Sequence, residues 1–114
     1  MSVFIQWNIR SINSDREELN VLLSDVNPDV VCLQETQIKA DSNTAFKHYS
    51  LYHRPGDDSG GTIHGAAAVL IKASIPHQQI MLHTSLQAVA VRATCFKTVT
   101  ICSVYLPLFE MEKS

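Results

Sequence analysis

Apolar and polar positions alternate along this chain in short blocks, and the period within each block separates strand from helix. Residues 3–7, VFIQW, are apolar and β-prone, and they read as a strand ending at Asn8. In residues 14–26, SDREELNVLLSDV, the side chains Leu19, Leu22, Leu23 and Val26 recur at i, i+3, i+4 and i+7, which is one face of a helix. Ser14 with Glu17 three residues later has the form of a capping box that would open the helix. Asn27-Pro28-Asp29 would close it. Residues 30–34, VVCLQ, then form a second strand. Strand, short helix and strand make a βαβ unit, whose two strands usually lie parallel across a right-handed crossover.

Beyond this unit the pattern loosens and then returns. Residues 36–65 are polar and irregular, and all four glycines fall in its second part, RPGDDSGGTIHG, which reads as a loop. Residues 66–72, AAAVLIK, predict a buried strand, and Ser74-Ile75-Pro76 interrupts the chain after it. Residues 86–94 and 98–105, LQAVAVRAT and TVTICSVY, both alternate, with Val89 and Val91 on one face. A short CFK connection between them predicts an antiparallel hairpin. Leu106-Pro107 ends it, and residues 108–114 have no clear partner. The expected content is about five strands and one clear helix, an α/β chain rich in strand. The runs at 30–33 and 66–71 are apolar on both faces and need cover on both sides. One amphipathic helix covers part of one side, so a further layer is required.

Composition narrows the class. The 114 residues suffice for one domain, and 46% apolar with 18% charged content describes a globular protein. No run approaches the roughly 20 apolar residues that span a membrane. The start, MSVFIQWNIR, lacks the basic n-region and long apolar core of a signal peptide. The expectation is an intracellular protein, cytoplasmic or nuclear, without a membrane partner. Cys32, Cys95 and Cys102 form no C-x-x-C pair and sit in apolar runs, which predicts buried free thiols. Nine Lys+Arg against eleven Asp+Glu give a net charge of −2, which argues against high-affinity nucleic-acid binding by this piece alone.

The candidate chemistry lies at the strand ends. In VVCLQET, residues 30–36, a buried run goes straight into Gln34, Glu35 and Thr36. A chain leaving the core more often uses Gly, Asn, Asp or Pro. Glutamate is a poor turn former and costly to bury unpaired. In a parallel βαβ unit Asn8 and Glu35 both finish at the carboxyl edge, where ligands of open α/β sheets bind. An amide and a carboxylate are oxygen donors that suit Mg²⁺ completed by water and a substrate phosphate. The plainer reading has Asn8 capping its turn and Glu35 paired with a lysine or arginine.

Four segments, WNIRS (7–11), NPDVVCLQET (27–36), GAAAVLIK (65–72) and VTICSVYLP (99–107), come one after another in an order and spacing that resembles the endonuclease/exonuclease/phosphatase superfamily. Within it the chain looks like the N-terminal half of the endonuclease domain of non-LTR, LINE- or jockey-like retrotransposons, which accompanies a reverse transcriptase. The resemblance implies the first half of a four-layer α/β/β/α sandwich of the pancreatic-deoxyribonuclease kind, with a mixed sheet and few helices. It would place a truncated domain at 1–107 and a tail without family match at 108–114. It implies a Mg²⁺- or Mn²⁺-dependent DNA endonuclease in which Glu35 and Asn8 order the metal and Tyr105 contacts the scissile phosphate or its leaving group. Gln34 could orient Glu35, although such a residue more often bonds backbone.

The departures are as informative. The family's second half supplies an Asp-x-Asn motif, a further aspartate and a Ser-Asp-His motif, and this chain has none of them. Its histidines, His48, His53, His64, His77 and His83, all precede Tyr105 and are expected on the surface or in loops. The loss of a general base costs about 10²–10⁴-fold, so the fragment is expected to be inactive alone with weak metal binding. The alternative is a non-catalytic remnant or protein-binding half-domain. Because only the first sheet and its helix are expected, the inward residues of AAAVLIK, QAVAV and TVTICSVY would lack an opposing sheet. Self-association or a completing half-domain would then cover them.

Overall fold

The computed structural model describes residues 2–37, 45–54, 67–82, 87–95 and 97–105. The apolar runs become strands β1 (Phe4–Asn8), β2 (Val30–Gln34), β4 (Ala67–Lys72), β6 (Gln87–Thr94) and β7 (Thr98–Tyr105). Helix α1 (Arg16–Val26) lies between β1 and β2. Two further strands, β3 (Tyr49–Arg54) and β5 (His77–Ile80), fall where the sequence predicts irregular chain and an interruption. All six residues of β3 are half-buried, so no apolar face stands out against a polar one. β5 is four residues long with two glutamines, too short for a period to register. The polar loop at 55–66 and the tail at 106–114 lie outside the described residues.

The strands form two sheets. The first has the order β1-β2-β4-β3, and the second β5-β6-β7. β1 and β2 are parallel, with Phe4 opposite Val30 and Asn8 opposite Gln34, as the βαβ reading requires. β2 runs antiparallel to β4, and β6 antiparallel to β7 as the predicted hairpin.

Alternation along β2 explains its double apolar character. Val31 and Leu33 point to the side of α1, where they join Leu19, Leu23, Ile9, Ile12, Ala68, Leu70 and Phe46. Val30 points to the other side, where it joins Val69, Ile71, Val89, Val91, Ala93 and Ile101 between the sheets. The required further layer is therefore the second sheet, and this corrects the expectation of a lone first sheet. AAAVLIK and the 86–105 hairpin belong to different sheets and cover each other, because the chain crosses over after β4 rather than extending the same sheet. What stays open is narrower. β7 lies over β2 and β4, and β6 over β4 and β3. On that side β1 stays exposed, Phe4 by 48%, and Phe4 and Gln6 line an open groove with Cys102 and Val104 of β7.

α1 buries Leu19 and Leu23, with Leu22 packed beside them, as its period predicts, whereas Val26 at the last turn is exposed. Its start differs from the predicted capping box. The N-cap is Asp15 and no side chain caps it, so the Ser14–Glu17 pair lies one position off the helix end. Asn27 closes the helix in the left-handed conformation, its N–H donating to the carbonyl of Leu23. At the amino edge of the sheet, Asp29 accepts from the Val3 N–H at 2.8 Å and pairs with Lys72 at 3.4 Å. No helix among the described residues is long and apolar enough to cross a membrane.

The cysteines are free thiols, as expected, but none is buried: Cys102 is exposed, and Cys32 and Cys95 are half-buried. Inward positions of β7 are Val99 and Ile101, so Cys102 falls on the opposite parity. Burial, and then the nearby Cys102 thiol, push the Cys32 pKa above the usual thiol value. Of the histidines, His48 meets the expectation of a surface or loop position, and two others depart from it. His53 lies within β3 and His77 within β5, while His48 is exposed in a turn. His64 and His83 lie outside the described residues.

Candidate functional site

The parallel register makes Asn8 and Gln34 partners on neighbouring strands, so Asn8 and Glu35 leave the sheet at the same carboxyl edge. Asn8 is exposed and Glu35 is half-buried. The backbone resolves how glutamate ends a buried strand. Glu35 has φ of 53°, in the left-handed region that non-glycine residues seldom enter. Two hydrogen bonds to the chain after β1 hold it there. The Ile9 N–H donates to the carbonyl of Gln34 at 3.1 Å, and the Ile12 N–H donates to that of Thr36 at 3.1 Å. Ile9, Ile12 and Thr36 are each buried, which anchors the segment on both sides of Glu35. A strained residue that its surroundings over-determine is a recurrent mark of functional sites.

Thr36, the last residue of the motif, is 1% exposed, and its hydroxyl oxygen has no partner among the described residues. Glu35 has no ion pair among them either, and the pair that does form, Lys72–Asp29, stands at the opposite edge. The plainer reading of Glu35 as a structural ion-pair partner thus has no support among the described residues.

Tyr105 is the last residue of β7, opposite Gln87 of β6. Two buried hydrogen bonds tie β7 to the end of β2. The Gln34 side-chain Nε2 donates to Ser103 Oγ at 3.0 Å, and Ser103 Oγ donates to the carbonyl of Leu33 at 2.7 Å. Ser103 therefore sits over the end of β2, and the chain reaches Tyr105 two residues later at the same edge. The strand ends that carry Asn8, Glu35 and Tyr105 thus lie toward the same edge of the two sheets. Gln34 was a candidate for orienting Glu35; its amide instead bonds across to the second sheet. Ser103 carried no mark of its own in the sequence, except that it interrupts the apolar parity of Val99 and Ile101.

Asn8 and Glu35 offer an amide oxygen and a carboxylate, hard donors that fit Mg²⁺ or Mn²⁺. Among the described residues no three His, Cys, Asp or Glu side chains cluster to hold an ion. An ion at Asn8 and Glu35 would take the rest of its shell from water and phosphate oxygens.

Comparison with known proteins places this geometry in a family. The model of the Endonuclease/Exonuclease/phosphatase family matches residues 5–106. The RNA-directed DNA polymerase from the mobile element jockey of Drosophila melanogaster is 31% identical over 104 residues, which are 89% of this chain and 11% of that protein. The 3′ phosphatase NExo from Neisseria, solved bound to a product DNA hairpin, superposes with a TM-score of 0.65 at 18% identity, over 96% of this chain and 46% of that one. The AP endonuclease LMAP from Leishmania major superposes with a TM-score of 0.67 at 16% identity, over 96% of this chain and 43% of that one. The chain thus spans less than half the length of either solved neighbour. With its family motif, its two-sheet fold and its jockey-like sequence in agreement, the chain belongs to the Endonuclease/Exonuclease/phosphatase family.

Proposed function

We propose that this chain carries one half of the metal and phosphate site of a DNA endonuclease of retrotransposon origin, a phosphodiester hydrolase. The observation that supports it most is the convergence of Asn8, Glu35 and the end of β7 at one edge of two packed sheets. In this reading Glu35 and Asn8 hold Mg²⁺ or Mn²⁺, and residues 1–107 form the domain portion with 108–114 as a tail. The ion would stabilise negative charge on a phosphate oxygen. Asn8 would orient the phosphate, and Tyr105 would contact the scissile group or its leaving oxygen. The held φ of Glu35 fixes its backbone at the edge before binding, which lowers the cost of assembling the site.

The resemblance assigns the water-activating His and Asp to segments that these 114 residues do not contain. We therefore read the chain as inactive or marginal on its own. The edges of β1 and β7, which have no neighbouring strand among the described residues, together with the exposed side of β1, are where a completing half-domain or a second copy would add strands. A non-catalytic half-domain is the alternative, and the same feature favours it.

A plasmid-relaxation assay with Mg²⁺ or Mn²⁺ tests this. Purified chain should give no nicking above buffer. Robust nicking abolished by Glu35→Ala would show that a residue within these 114 serves as the base, and the reading of an incomplete site would fall.

A further inference from the structure

Gln34 and Ser103 form a buried polar joint in an otherwise apolar gap between the sheets. Both residues are buried, and their neighbours in that gap are Val30, Val69, Val91 and Ile101. Ser103 Oγ both accepts from the Gln34 amide at 3.0 Å and donates to the Leu33 carbonyl at 2.7 Å. One hydroxyl is thus tied to two successive residues of β2. Apolar contact is non-directional and scales with the area buried, so it specifies the relative position of two sheets less sharply than a hydrogen bond does. Hydrogen bonds weaken steeply with distance and angle, and here two of them fix both the separation and the relative slide of the strands. A stable fold needs no such pair, since two apolar residues of similar shape can replace both partners at nearly neutral cost. The joint lies one residue before Glu35 and two before Tyr105.

We propose that Gln34 and Ser103 are positioning residues, which hold the ends of β2 and β7 in one register so that Glu35 and Tyr105 address the same bound group. This rests on the reading of Glu35 and Tyr105 given above, but the joint itself can be tested without a metal. The decisive variant is the double substitution Gln34→Met/Ser103→Val in the full chain, which removes both polar groups and is expected to fold. Ser103→Ala alone leaves the Gln34 amide buried without a partner and serves only as a second comparison. Ser103→Thr keeps the hydroxyl and should restore the wild-type pattern.

Residual dipolar couplings of backbone amides report strand orientation. In the double variant the couplings of residues 33–35 and 103–105 should shift relative to each other, while those of β4 and the middle of β6 stay as in wild type. Mn²⁺ alone is then added. The paramagnetic broadening of the Tyr105 amide should be lost in the double variant while that of the Glu35 amide remains, and Ser103→Thr should recover both. Unchanged couplings in a folded double variant would overturn the proposal, because packing alone would then set the register. Shifted couplings with no Mn²⁺ effect at Glu35 in wild type would uphold the joint and overturn the metal reading.

Discussion

Glu35 is held at φ of 53° by hydrogen bonds on either side, and this strain separates its stability from its chemistry. A left-handed conformation costs a residue with a Cβ about 1–2 kcal/mol, which glycine avoids while giving up some chain entropy. Glu35→Gly should therefore leave the chain as stable as wild type or more stable by up to about 1 kcal/mol, measured by denaturant unfolding. The same variant should lose divalent-ion binding. A clear loss of stability would mean that the carboxylate is structural. His53 supplies a second residue-scale test. Burial lowers its imidazole pKa below the ordinary value. The unfolded chain then takes up a proton at higher pH than the folded one, so stability should fall as pH drops below about 6.5. His53→Gln should flatten that part of the pH–stability curve, and an unaltered slope would assign it to other groups.

At the scale of elements, the sequence was most legible where one face of a segment is apolar and the other is not. α1 announces Leu19 and Leu23, and β6 announces Val89 and Val91, because burial selects side chains at the element's own period. β3 and β5 were hidden because β3 is half-buried along its whole length, packing Tyr49 and Leu51 on one side and Tyr52 on the other, and β5 is short with two exposed glutamines. β5 is also tied to β3 by polar contact, the Tyr52 hydroxyl meeting His77 Nε2 at 2.8 Å, which leaves no apolar trace. The capping box failed for a different reason: Ser14 and Glu17 match the motif, but the helix begins one residue late, after Asp15. Ser14→Ala should consequently change stability by no more than a few tenths of a kcal/mol, instead of the roughly 1 kcal/mol of a true cap. Leu23→Ala, which empties a buried position under α1, should cost about 2–5 kcal/mol. Thermal or urea melts of the two variants compare them directly.

For the molecule as a whole, two partial sheets pack on each other, rather than one complete sheet waiting for another, and the proposed site lies at one edge of the pair. That arrangement depends on the crossover between β4 and the β5–β7 sheet, which periodicity cannot reveal, since an inward face reads the same whichever sheet supplies its cover. Asn8 and Glu35 could be paired from sequence because a parallel βαβ unit leaves little freedom. The placement of Tyr105 could not, because β7 belongs to the second sheet, and its contact with β2 through Gln34 and Ser103 leaves no periodic signal. The claim that these strand ends make one divalent-ion and phosphate site is tested most directly by mapping Mn²⁺-induced broadening of amide resonances in the full chain, alongside Glu35→Gln. The account predicts broadening centred on Asn8 and Glu35 that reaches the Tyr105 amide and disappears in Glu35→Gln. Broadening centred elsewhere, or unchanged in Glu35→Gln, would contradict it.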